Sequence, residues 1–304
     1  NIREAYRLAH RGKTNSPDVI EFDKNKLYNL QYILNTMKKR EWGKVFTYYR
    51  FTITQPKERI IDAMNFDGRI VQHILCDKIL RPYFEARLVK ENCACRQNKG
   101  TDYALKLVKQ GIVGFLKKHS DGWVLKMDVR KYFPSIDRAV LKEMLTKFPD
   151  KEIRDLLYYI VDNSPEQNGL AIGNQTSQWF ALYYLDPIDR IIKEKYRVKL
   201  YARYMDDLII VHESKTLLQE LWKELVDVAR NRLKLEFNAK TQLFPLHNGV
   251  SFLGWKIMPT PHKGVYMKLD SDKKKLRIAK IKEIWWDSDT ELRATRLRSV
   301  EVNL

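Results

Sequence analysis

Two adjacent aspartates lie between two short apolar segments, and this feature constrains the fold more than any other. Leu200–Tyr204 and Leu208–Val211 are rich in aromatic and aliphatic residues, which indicates β-strands. Because only Met205, Asp206 and Asp207 separate them, we predict a tight hairpin with both acids at its tip. Neighbouring like charges are unfavourable unless a cation neutralises them, and Mg²⁺ prefers such hard oxygen ligands.

A third carboxylate ends another predicted strand. Trp123–Asp128 is mostly apolar and finishes on an acid, so Asp128 meets the hairpin acids if both strands share a sheet. Three carboxylates around two cations form the clamp used for in-line phosphoryl transfer. One cation would activate a 3′ hydroxyl, and the other would steady the leaving pyrophosphate. Asp137 competes for this role, but it is better explained as an acid at a helix N-terminus.

The remaining pattern predicts a mixture of helices and short strands. Strands are expected at 45–54 and from Arg59 onward. We predict a helix over 66–80 that ends at Arg81-Pro82, and another helix whose N-cap is Thr101. Further helices are expected in most of 1–50, as two stretches within 138–162, at 176–195 with an interruption near Pro187, and at 215–233 and 268–286. Further strands are expected at 234–237, 242–246 and 250–258.

The net charge of the 304-residue chain indicates the chemistry of its partner. The sequence contains 56 Lys and Arg against 38 Asp and Glu, which gives +18. A surplus of this size favours a polyanion, most often nucleic acid. No apolar run approaches the roughly 18–20 residues of a membrane span, so we expect no membrane partner.

The three cysteines favour a reducing compartment such as the cytoplasm. Cys93 and Cys95 are two positions apart, so we predict two small strand residues on one face. The sequence has no cysteine pair with the spacing of zinc ligands, which argues against a four-ligand zinc site.

The segment around the paired acids resembles the catalytic hairpin of reverse transcriptases. It reads Tyr-Ala-Arg-Tyr-Met-Asp-Asp-Leu-Ile-Ile over 201–210. Other segments resemble the remaining motifs of this family and follow in its order, from about residue 45 to residue 285. They are Pro56–Arg59 and Asp67–Gln72 of the fingers, Asp128–Ile136 of the first acidic motif, Gly169–Gln178 of the glycine loop, Leu233–Thr241 of the lysine motif and Phe252–Trp255 of the primer-gripping hairpin.

This resemblance implies an α+β fold with the right-hand architecture of polymerases, which consists of fingers, palm and thumb. The palm is expected to be an antiparallel sheet that carries the acids and is backed by helices. Mild shifts in composition near 115–120 and 258–266 place the boundaries. We therefore expect fingers over residues 1–118, a palm over 119–258 and a short basic thumb over 259–304.

The loop at 169–178 distinguishes groups within the family. Group II intron enzymes typically carry Gln where this chain has Ile172, and their loop ends in Ser-Pro, whereas this one ends in Ser-Gln. These features resemble the reverse transcriptases of diversity-generating retroelements, which belong to the same group II intron-like superfamily. The segments Asn92–Arg96 and Lys99–Thr101 resemble them as well.

Two positions depart from the retroelement pattern and keep an alternative open. Ala171 stands where that group usually has Pro, and Gln175 stands where it often has Leu. The alternative is a related lineage, such as a reverse transcriptase of phage defence.

The resemblance assigns roles to individual residues. The catalytic residues are Asp128, Asp206 and Asp207, and the same acids together with Val129 are the expected metal ligands. The residues expected to bind the incoming nucleotide are Arg59, Arg69, Phe133, Ile172, Gly173, Gln178 and Lys240. The residues expected to bind primer or template are Tyr204, Met205, Phe252, Leu253, Gly254, Trp255, Lys273, Lys274 and Arg277.

Several of these assignments compete with a simpler explanation. Phe133 is expected to be the aromatic gate that excludes a 2′ hydroxyl, with Tyr132 as the fallback and core packing as the simpler explanation. Arg69 is expected to bind the triphosphate, and the simpler explanation is a solvated surface arginine. Lys240 is expected to protonate pyrophosphate, and the simpler explanation is that it balances local charge. The lysines and arginine of 268–286 follow an RNA–DNA duplex or form a solvated helix face.

The implied function is RNA-directed DNA polymerisation. It uses two Mg²⁺ ions, for which Mn²⁺ can substitute, together with deoxynucleotides, a template RNA and a primer, and it produces an RNA–DNA duplex. The retroelement resemblance adds a small basic oligomeric accessory protein and error-prone copying of a template-repeat RNA into mutagenised complementary DNA. The expected location is the cytoplasm of a bacterium, with the gene carried by the bacterium or by its phage.

Two alternatives to the retroelement function stay open. A phage-defence enzyme, or another group II-like bacterial reverse transcriptase, would keep the same chemistry in a different biological role. A non-catalytic RNA-binding polymerase scaffold would lack one of the acids or the sugar gate, and all of them are present.

Overall fold

The computed structural model describes residues 1–54 and 58–285 of the chain. Helices and antiparallel sheets are mixed along the sequence, as in an α+β protein. The described residues form a two-stranded, a four-stranded and a three-stranded sheet. None of the described helices is both long and apolar enough to cross a membrane.

Three helices begin the chain, namely α1 (Ile2–His10), α2 (Pro17–Lys24) and α3 (Lys26–Lys38). Aromatic side chains hold this region together. The rings of Phe22 and Phe66 meet edge to face at 4.9 Å, and the ring of Tyr6 lies 5.9 Å from both. Because Phe66 begins the next helix, these contacts fix the N-terminal helices to the rest of the fold.

The first hairpin consists of β1 (Tyr48–Ile53) and β2 (Arg59–Met64), which pair antiparallel. Both strands were predicted, and the connecting residues 55–57 lie outside the described part. Phe51 lies opposite Ile61, and Ile53 lies opposite Arg59. Since side chains alternate along a strand, these four residues share one face of the hairpin.

The helix predicted over 66–80 continues past its expected end. It is built from α4 (Phe66–Leu75), a π-helical turn (Cys76–Leu80) and α5 (Arg81–Glu85). The Arg81 N–H bonds to the Cys76 carbonyl, and Pro82 lies in the first turn of α5, where a missing N–H is tolerated. The wider turn therefore accommodates the proline, and the prediction that the helix ends there was wrong.

The segment before α6 (Thr101–Leu116) is not a strand. Cys93 is buried and Cys95 is exposed, because Cys95 adopts φ +52° and breaks the alternation of a strand. The prediction of two cysteines on one strand face was therefore wrong. The N-cap of α6 is Gly100 rather than Thr101, and its φ of 119° suits glycine.

The four-stranded sheet, called the central sheet below, occupies the middle of the chain. Its strands and flanking helices are β3 (Trp123–Asp128), α7 (Tyr132–Ser135), α8 (Arg138–Leu145), α9 (Lys151–Asp162), α10 (Gln175–Tyr184), α11 (Asp186–Arg190), β4 (Leu200–Tyr204), β5 (Asp207–His212), α12 (Lys215–Asn231) and β6 (Gln242–Pro245). The strand order is β4-β5-β3-β6, and every pair is antiparallel. The acid-bearing strands β3 and β5 are therefore the two inner strands.

Both faces of the central sheet are buried. Met127 and Leu208 contribute to one hydrophobic core, whereas Val124 and Ile209 contribute to the other. Burial on both faces explains the nearly continuous apolar runs of these strands. It also makes the ends of β3 and β5 rigid positions for functional side chains.

A second, three-stranded sheet follows, and its elements are β7 (Val250–Phe252), β8 (Trp255–Pro259), β9 (Val265–Leu269) and the final helix α13 (Ser271–Trp285). The pattern of apolar residues predicted one strand over 250–258, which was wrong, because the chain reverses at Leu253-Gly254, where both residues adopt positive φ. This reversal is the hairpin that the resemblance implied at Phe252–Trp255. Residues 234–237 form no strand, and they contribute only the isolated bridge between Phe237 and Val129. β9 was not predicted.

Candidate active site

Three carboxylates meet at one end of the central sheet. Asp128 is the last residue of β3 and lies directly opposite Asp207, the first residue of β5. Opposed residues of an antiparallel pair project from the same face, so these two side chains point the same way. Asp206 precedes Asp207 in the turn, and its carboxylate is close enough to Asp128 for the negative charge of Asp128 to raise the pKa of Asp206. The prediction that the third acid meets the hairpin acids is confirmed.

The turn between β4 and β5 contains two residues rather than three. Tyr204 pairs with Asp207, which leaves Met205 and Asp206 as the turn residues. Met205 adopts φ +55°, a left-handed conformation that is costly for a residue other than glycine. Backbone strain of this kind persists only where the surrounding structure holds it, and it concentrates at functional sites.

The carboxylates disfavour one another's negative charge. Burial, and after it the charge of Asp128, raises the pKa of Asp206 to about 6. Burial also raises the pKa of Asp207 to about 6, although the ammonium of Lys126 opposes the shift. One carboxylate oxygen, Oδ1 of Asp207, is buried without a hydrogen-bond partner among the described residues. A positive charge at this place would therefore be favourable.

The donor set suits a hard divalent cation that takes part of its ligands from elsewhere. Within the described ranges, no group of three or more His, Cys, Asp or Glu side chains is arranged to hold an ion by itself. Mg²⁺ is commonly bound by one or two carboxylates together with water and substrate phosphates. Asp128 and Asp207 lie opposite each other, and one Asp207 oxygen has no hydrogen-bond partner among the described residues, so the two acids fit that type of site.

Val129 was predicted to be a metal ligand, a role that only its backbone carbonyl can fill, and the local backbone orients that carbonyl suitably. The Asp128 carbonyl accepts from the Asn238 N–H at 2.7 Å, and the Arg130 N–H donates to the Glu236 carbonyl at 2.8 Å. Backbone groups alternate in direction along an extended chain. The Val129 carbonyl therefore points away from that segment, toward the side of β5.

A buried ion pair that the sequence analysis missed supports the turn. Arg203 and Asp189 are both 0% exposed, and two bonds of 2.7 and 2.6 Å join their side chains. The Tyr201 hydroxyl donates to the same carboxylate at 2.5 Å. The Arg203 guanidinium also donates to the Met205 carbonyl at 2.9 Å. The pair thus holds the left-handed residue of the turn in place.

The sequence contained a partial signal for this ion pair. Arg203 interrupts an otherwise apolar strand, and a buried arginine requires an acidic partner. The identity of the partner could not be predicted, since Asp189 lies 14 positions earlier, in a different element.

The loop predicted to contact the nucleotide packs against the first hairpin. The Ile172 carbonyl accepts from the Asp62 N–H at 3.2 Å, and the Asn174 side chain donates to the Asp62 carbonyl at 3.0 Å. Gly173 adopts φ +114°, and a Cβ there would lie 2.8 Å from a methyl group of Ile61. This close approach requires glycine.

The two arginines predicted near the triphosphate have different surroundings. Arg59 is exposed, and its charge acts to lower the pKa of Asp206 against the larger effect of burial. Arg69 pairs instead with Asp18, and its guanidinium lies over the Phe66 ring at 5.4 Å. Arg59 is therefore within electrostatic reach of the acids, whereas Arg69 is engaged by the N-terminal helices.

The two aromatic candidates for the sugar gate also differ. Tyr132 is buried, and its hydroxyl donates to the Ala181 carbonyl. Phe133 is half-buried, with its ring edge to face with Tyr132 at 5.8 Å. Gln178 is likewise half-buried, on α10. Phe133 is thus the more available of the two rings.

A basic groove with a volume of about 690 Å³ extends from the acids toward the second sheet. Asp128 and Asp207 line it together with Lys126, Lys240 and Lys256. Lys240 is exposed, and the Nζ of Lys126 lies 4.0 Å from Oδ1 of Asp207. The groove combines acids that suit a cation with lysines that suit phosphate groups.

The residues predicted to hold the primer and template lie mainly at two turns. Tyr204 and Met205 are half-buried at the β4–β5 turn. The segment Phe252–Trp255 forms the β7–β8 turn, and its residues Phe252 and Leu253 pack in the second hydrophobic core. Both sets therefore lie at the ends of hairpins.

Three further cations were predicted to contact the duplex from the last helix. Lys274 is exposed and lines a neighbouring groove of about 620 Å³ together with Lys256 and Lys268. The side chains of Lys273 and Arg277 lie outside the described part. A continuous basic surface thus extends from the acids to the beginning of α13.

Comparison with known proteins agrees with this geometry. The family model "Reverse transcriptase (RNA-dependent DNA polymerase)" matches residues 38–257. Apo telomerase from Candida tropicalis, truncated from its C-terminal domain, superposes with a TM-score of 0.55 and 14% identity over 75% of this chain and 55% of that chain. Apo telomerase from the same organism superposes with a TM-score of 0.58 and 12% identity over 84% of this chain and 52% of that chain.

No curated protein matches the sequence. The chain spans about half the length of the telomerase structures, and at these identities the likeness shows the fold. The fold is thus that of a reverse transcriptase-like polymerase, α+β with antiparallel sheets. Since the family model covers most of the sequence, the chain belongs to the reverse transcriptase (RNA-dependent DNA polymerase) family.

Proposed function

We propose that the protein is an RNA-directed DNA polymerase that extends a primer by nucleotidyl transfer with divalent cations. The observation that carries this proposal is the meeting of Asp128, Asp206 and Asp207 at the head of a lysine-lined groove. Enzymes of this family generally use divalent ions and deoxynucleotides. The net charge of +18 suits a template RNA, a primer and their RNA–DNA duplex.

The acids and one carbonyl would hold the ions. Asp128 and Asp207 offer opposed carboxylates, Asp206 offers a third from the turn, and Val129 offers its carbonyl. When bound, two Mg²⁺ ions would activate the 3′ hydroxyl and neutralise the leaving pyrophosphate, with Mn²⁺ as a substitute. The unfavourable ionisation of Asp206 and Asp207 makes this end of the sheet receptive to such charge.

Residues around the acids would position the incoming nucleotide. Arg59 and Lys240 are exposed cations near the acids and would bind the phosphates, whereas Arg69 would first have to release Asp18. Phe133 would exclude a 2′ hydroxyl. The backbone at Gly173 would pass close to the base pair, with Ile172 and Gln178 beside it.

We assign the segments of the chain to the fingers, palm and thumb of a polymerase. In this proposal residues 1–118 form the fingers, 119–258 the palm and 259–304 the thumb. The central sheet then lies in the palm, and the β7–β8 turn would grip the primer end. The basic groove that reaches Lys274 would follow the phosphates of the duplex.

We further propose the role of a diversity-generating retroelement enzyme. The support is the loop at 169–178 and the segments at 92–96 and 99–101, as set out from the sequence. The enzyme would copy a template-repeat RNA with errors opposite adenine, beside a small basic oligomeric accessory protein, in the cytoplasm of a bacterium. A phage-defence or other group II-like role is the alternative, which neighbouring genes without a variable repeat would support.

The test is extension of a DNA primer on an RNA template, with and without the accessory protein, followed by sequencing of the products. Wild type would run beside Asp206→Ala. We expect the wild-type protein to extend the primer and Asp206→Ala not to extend it. The errors in the wild-type products should be concentrated opposite template adenine. Faithful extension would contradict the mutagenic role, and absence of extension under every condition would favour the non-catalytic scaffold.

A further inference from the structure

Lys126 lies between the acids and the second sheet. It precedes Asp128 by two positions on β3, so the two side chains project from the same face. Its Nζ donates to the Ser251 carbonyl of β7 at 2.6 Å. The same atom lies 4.0 Å from Oδ1 of Asp207. A single ammonium group therefore contacts both sheets.

This contact matters because no pairing between described strands joins the two sheets, which otherwise meet through side chains of the second hydrophobic core such as Val124, Ile209 and Phe252. Among the described strands, none of β7, β8 and β9 pairs with a strand of the central sheet. The Lys126 side chain is 29% exposed, so its bond to Ser251 is partly shielded from water. A hydrogen bond from a charged donor in such a place is stronger than one between neutral groups.

The position of the charge has a second consequence. Oδ1 of Asp207 is buried and lacks a hydrogen-bond partner in the described part of the chain. The Nζ of Lys126, at 4.0 Å, is too far away to donate a hydrogen bond to it. An ammonium has three donors, and the Ser251 carbonyl uses one of them. Lys126 thus keeps positive charge beside the acid while it is anchored to the second sheet.

We propose that Lys126 is a positioning residue for the primer, which fixes the β7–β8 hairpin relative to Asp207. This inference rests on the proposed polymerase function, in which that hairpin holds the primer end. Loss of the Lys126 hydrogen bond would leave the hairpin held by packing in the second hydrophobic core, with more freedom to move relative to the acids. Primer binding would suffer, whereas binding of the incoming nucleotide would change less, because in the proposal it also depends on Arg59, Phe133 and the loop at 169–178, which do not line the basic groove.

Lys256 provides a matched control in the same groove. Its side chain lines the same surface as Lys126, but it forms no hydrogen bond or ion pair with any other described residue. Substitution of either lysine by methionine removes one positive charge from the groove. Of the two substitutions, only that of Lys126 removes the hydrogen bond from β3 to the Ser251 carbonyl.

The experiment measures steady-state primer extension by wild type, Lys126→Met, Lys126→Gln, Lys126→Arg and Lys256→Met, with thermal unfolding of each. We expect Lys126→Met to raise the KM for primer roughly tenfold, as for a lost hydrogen bond from a charged group. The KM for nucleotide should change less than about twofold, since its binding residues are untouched. Lys126→Arg should restore most of the primer affinity, and Lys126→Gln, which keeps a donor without the charge, should be intermediate.

Two results would overturn the inference: equal primer KM values for Lys126→Met and Lys256→Met, or a parallel rise in the KM for primer and nucleotide. If Lys126→Met does not fold, Lys126→Gln takes its place under the same criteria. A wild-type protein that extends no primer would contradict the polymerase function instead. Fluorescence anisotropy of a labelled primer–template would then still compare the two lysine variants.

Discussion

The β4–β5 and β7–β8 hairpins have turns of equal length, but they stabilise these turns in different ways. Each has two turn residues, and the first of them is left-handed in both: Met205 at φ +55° and Leu253 at φ +51°. In β7–β8 the second residue is Gly254, which adopts φ +81° at little cost. In β4–β5 the second residue is Asp206, a charged residue beside two further acids.

The difference shows how function is accommodated in a rigid fold. The β4–β5 turn carries backbone strain and charge repulsion. Arg203, from its buried ion pair, holds the strained residue through the Met205 carbonyl, and its positive charge favours the ionised form of Asp206. The β7–β8 turn is uncharged and relies on glycine and on Lys126 at its base. The first turn should therefore depend on a network within the core, and the second on its glycine and on the single hydrogen bond from Lys126.

The largest expected effect comes from the buried ion pair. Arg203→Met leaves Asp189 as an unpaired buried charge, so we expect the free energy of unfolding to fall by about 3–5 kcal/mol in urea titration. Arg190→Met, in a partly exposed pair with Asp186, should lose about 1 kcal/mol or less. Equal losses would mean that the β4–β5 hairpin does not depend on its buried network.

The paired acids should make the metal-free fold pH-dependent. Their folded pKa of about 6 exceeds the ordinary value of 3.8, so the folded state binds protons at higher pH than the unfolded state. Stability should therefore decrease as pH rises from about 4 to about 6, by about 2–4 kcal/mol for both acids together.

Urea unfolding in EDTA across this pH range would measure the effect. The control is the double variant Asp206→Asn with Asp207→Asn, which should lose this part of the pH dependence. An identical profile for wild type and the double variant would show that burial and repulsion do not raise the pKa values of the two carboxyl groups.

Asp207→Asn separates stability from activity. It should remove polymerase activity yet stabilise the metal-free protein by about 1–2 kcal/mol at neutral pH, because an ionised buried carboxylate is replaced by a neutral amide. Asp137→Asn is the control, since Asp137 caps α8 through the N–H groups of Ala139 and Val140, and asparagine caps equally well. Thermal unfolding of both variants would check this, and a destabilised Asp207→Asn would contradict it.

Gly254→Ala tests the other turn and should have the smallest effect. Alanine in the left-handed region costs about 1 kcal/mol, so stability should fall by that amount and the KM for primer should rise a few-fold. Gly114→Ala has open space at its Cβ within a helix and should instead gain about 0.5–1 kcal/mol. Unchanged stability of Gly254→Ala would weaken the contrast between the hairpins.

Local pattern was sufficient to predict the elements that carry the acids. The strand at Trp123–Asp128 and the hairpin around Asp206 follow from apolar runs interrupted by acids, and Asp137 follows from its place before a helix. The prediction that the helix ends at Pro82 failed because a π-helical turn precedes the proline and changes which carbonyl each N–H bonds to. The preferences of single residues do not predict such a turn.

The contacts between distant segments could not be predicted. The hydrogen bond from Lys126 to Ser251 joins residues 125 positions apart. The buried ion pair joins Arg203 of β4 to Asp189 of α11. Such contacts depend on how the sheets and helices pack, not on the spacing of residues along the chain. The catalytic roles assigned from the resemblance stay predictions until activity is measured.

The most direct test of the central claim is divalent-cation-dependent extension of a DNA primer on an RNA template by wild type, Asp207→Asn and Asp137→Asn. We expect wild type and Asp137→Asn to extend the primer when Mg²⁺ or Mn²⁺ is added, and Asp207→Asn to remain folded but inactive. Extension by Asp207→Asn at the wild-type rate would contradict the account, because the opposed carboxylates would then not be the catalytic site.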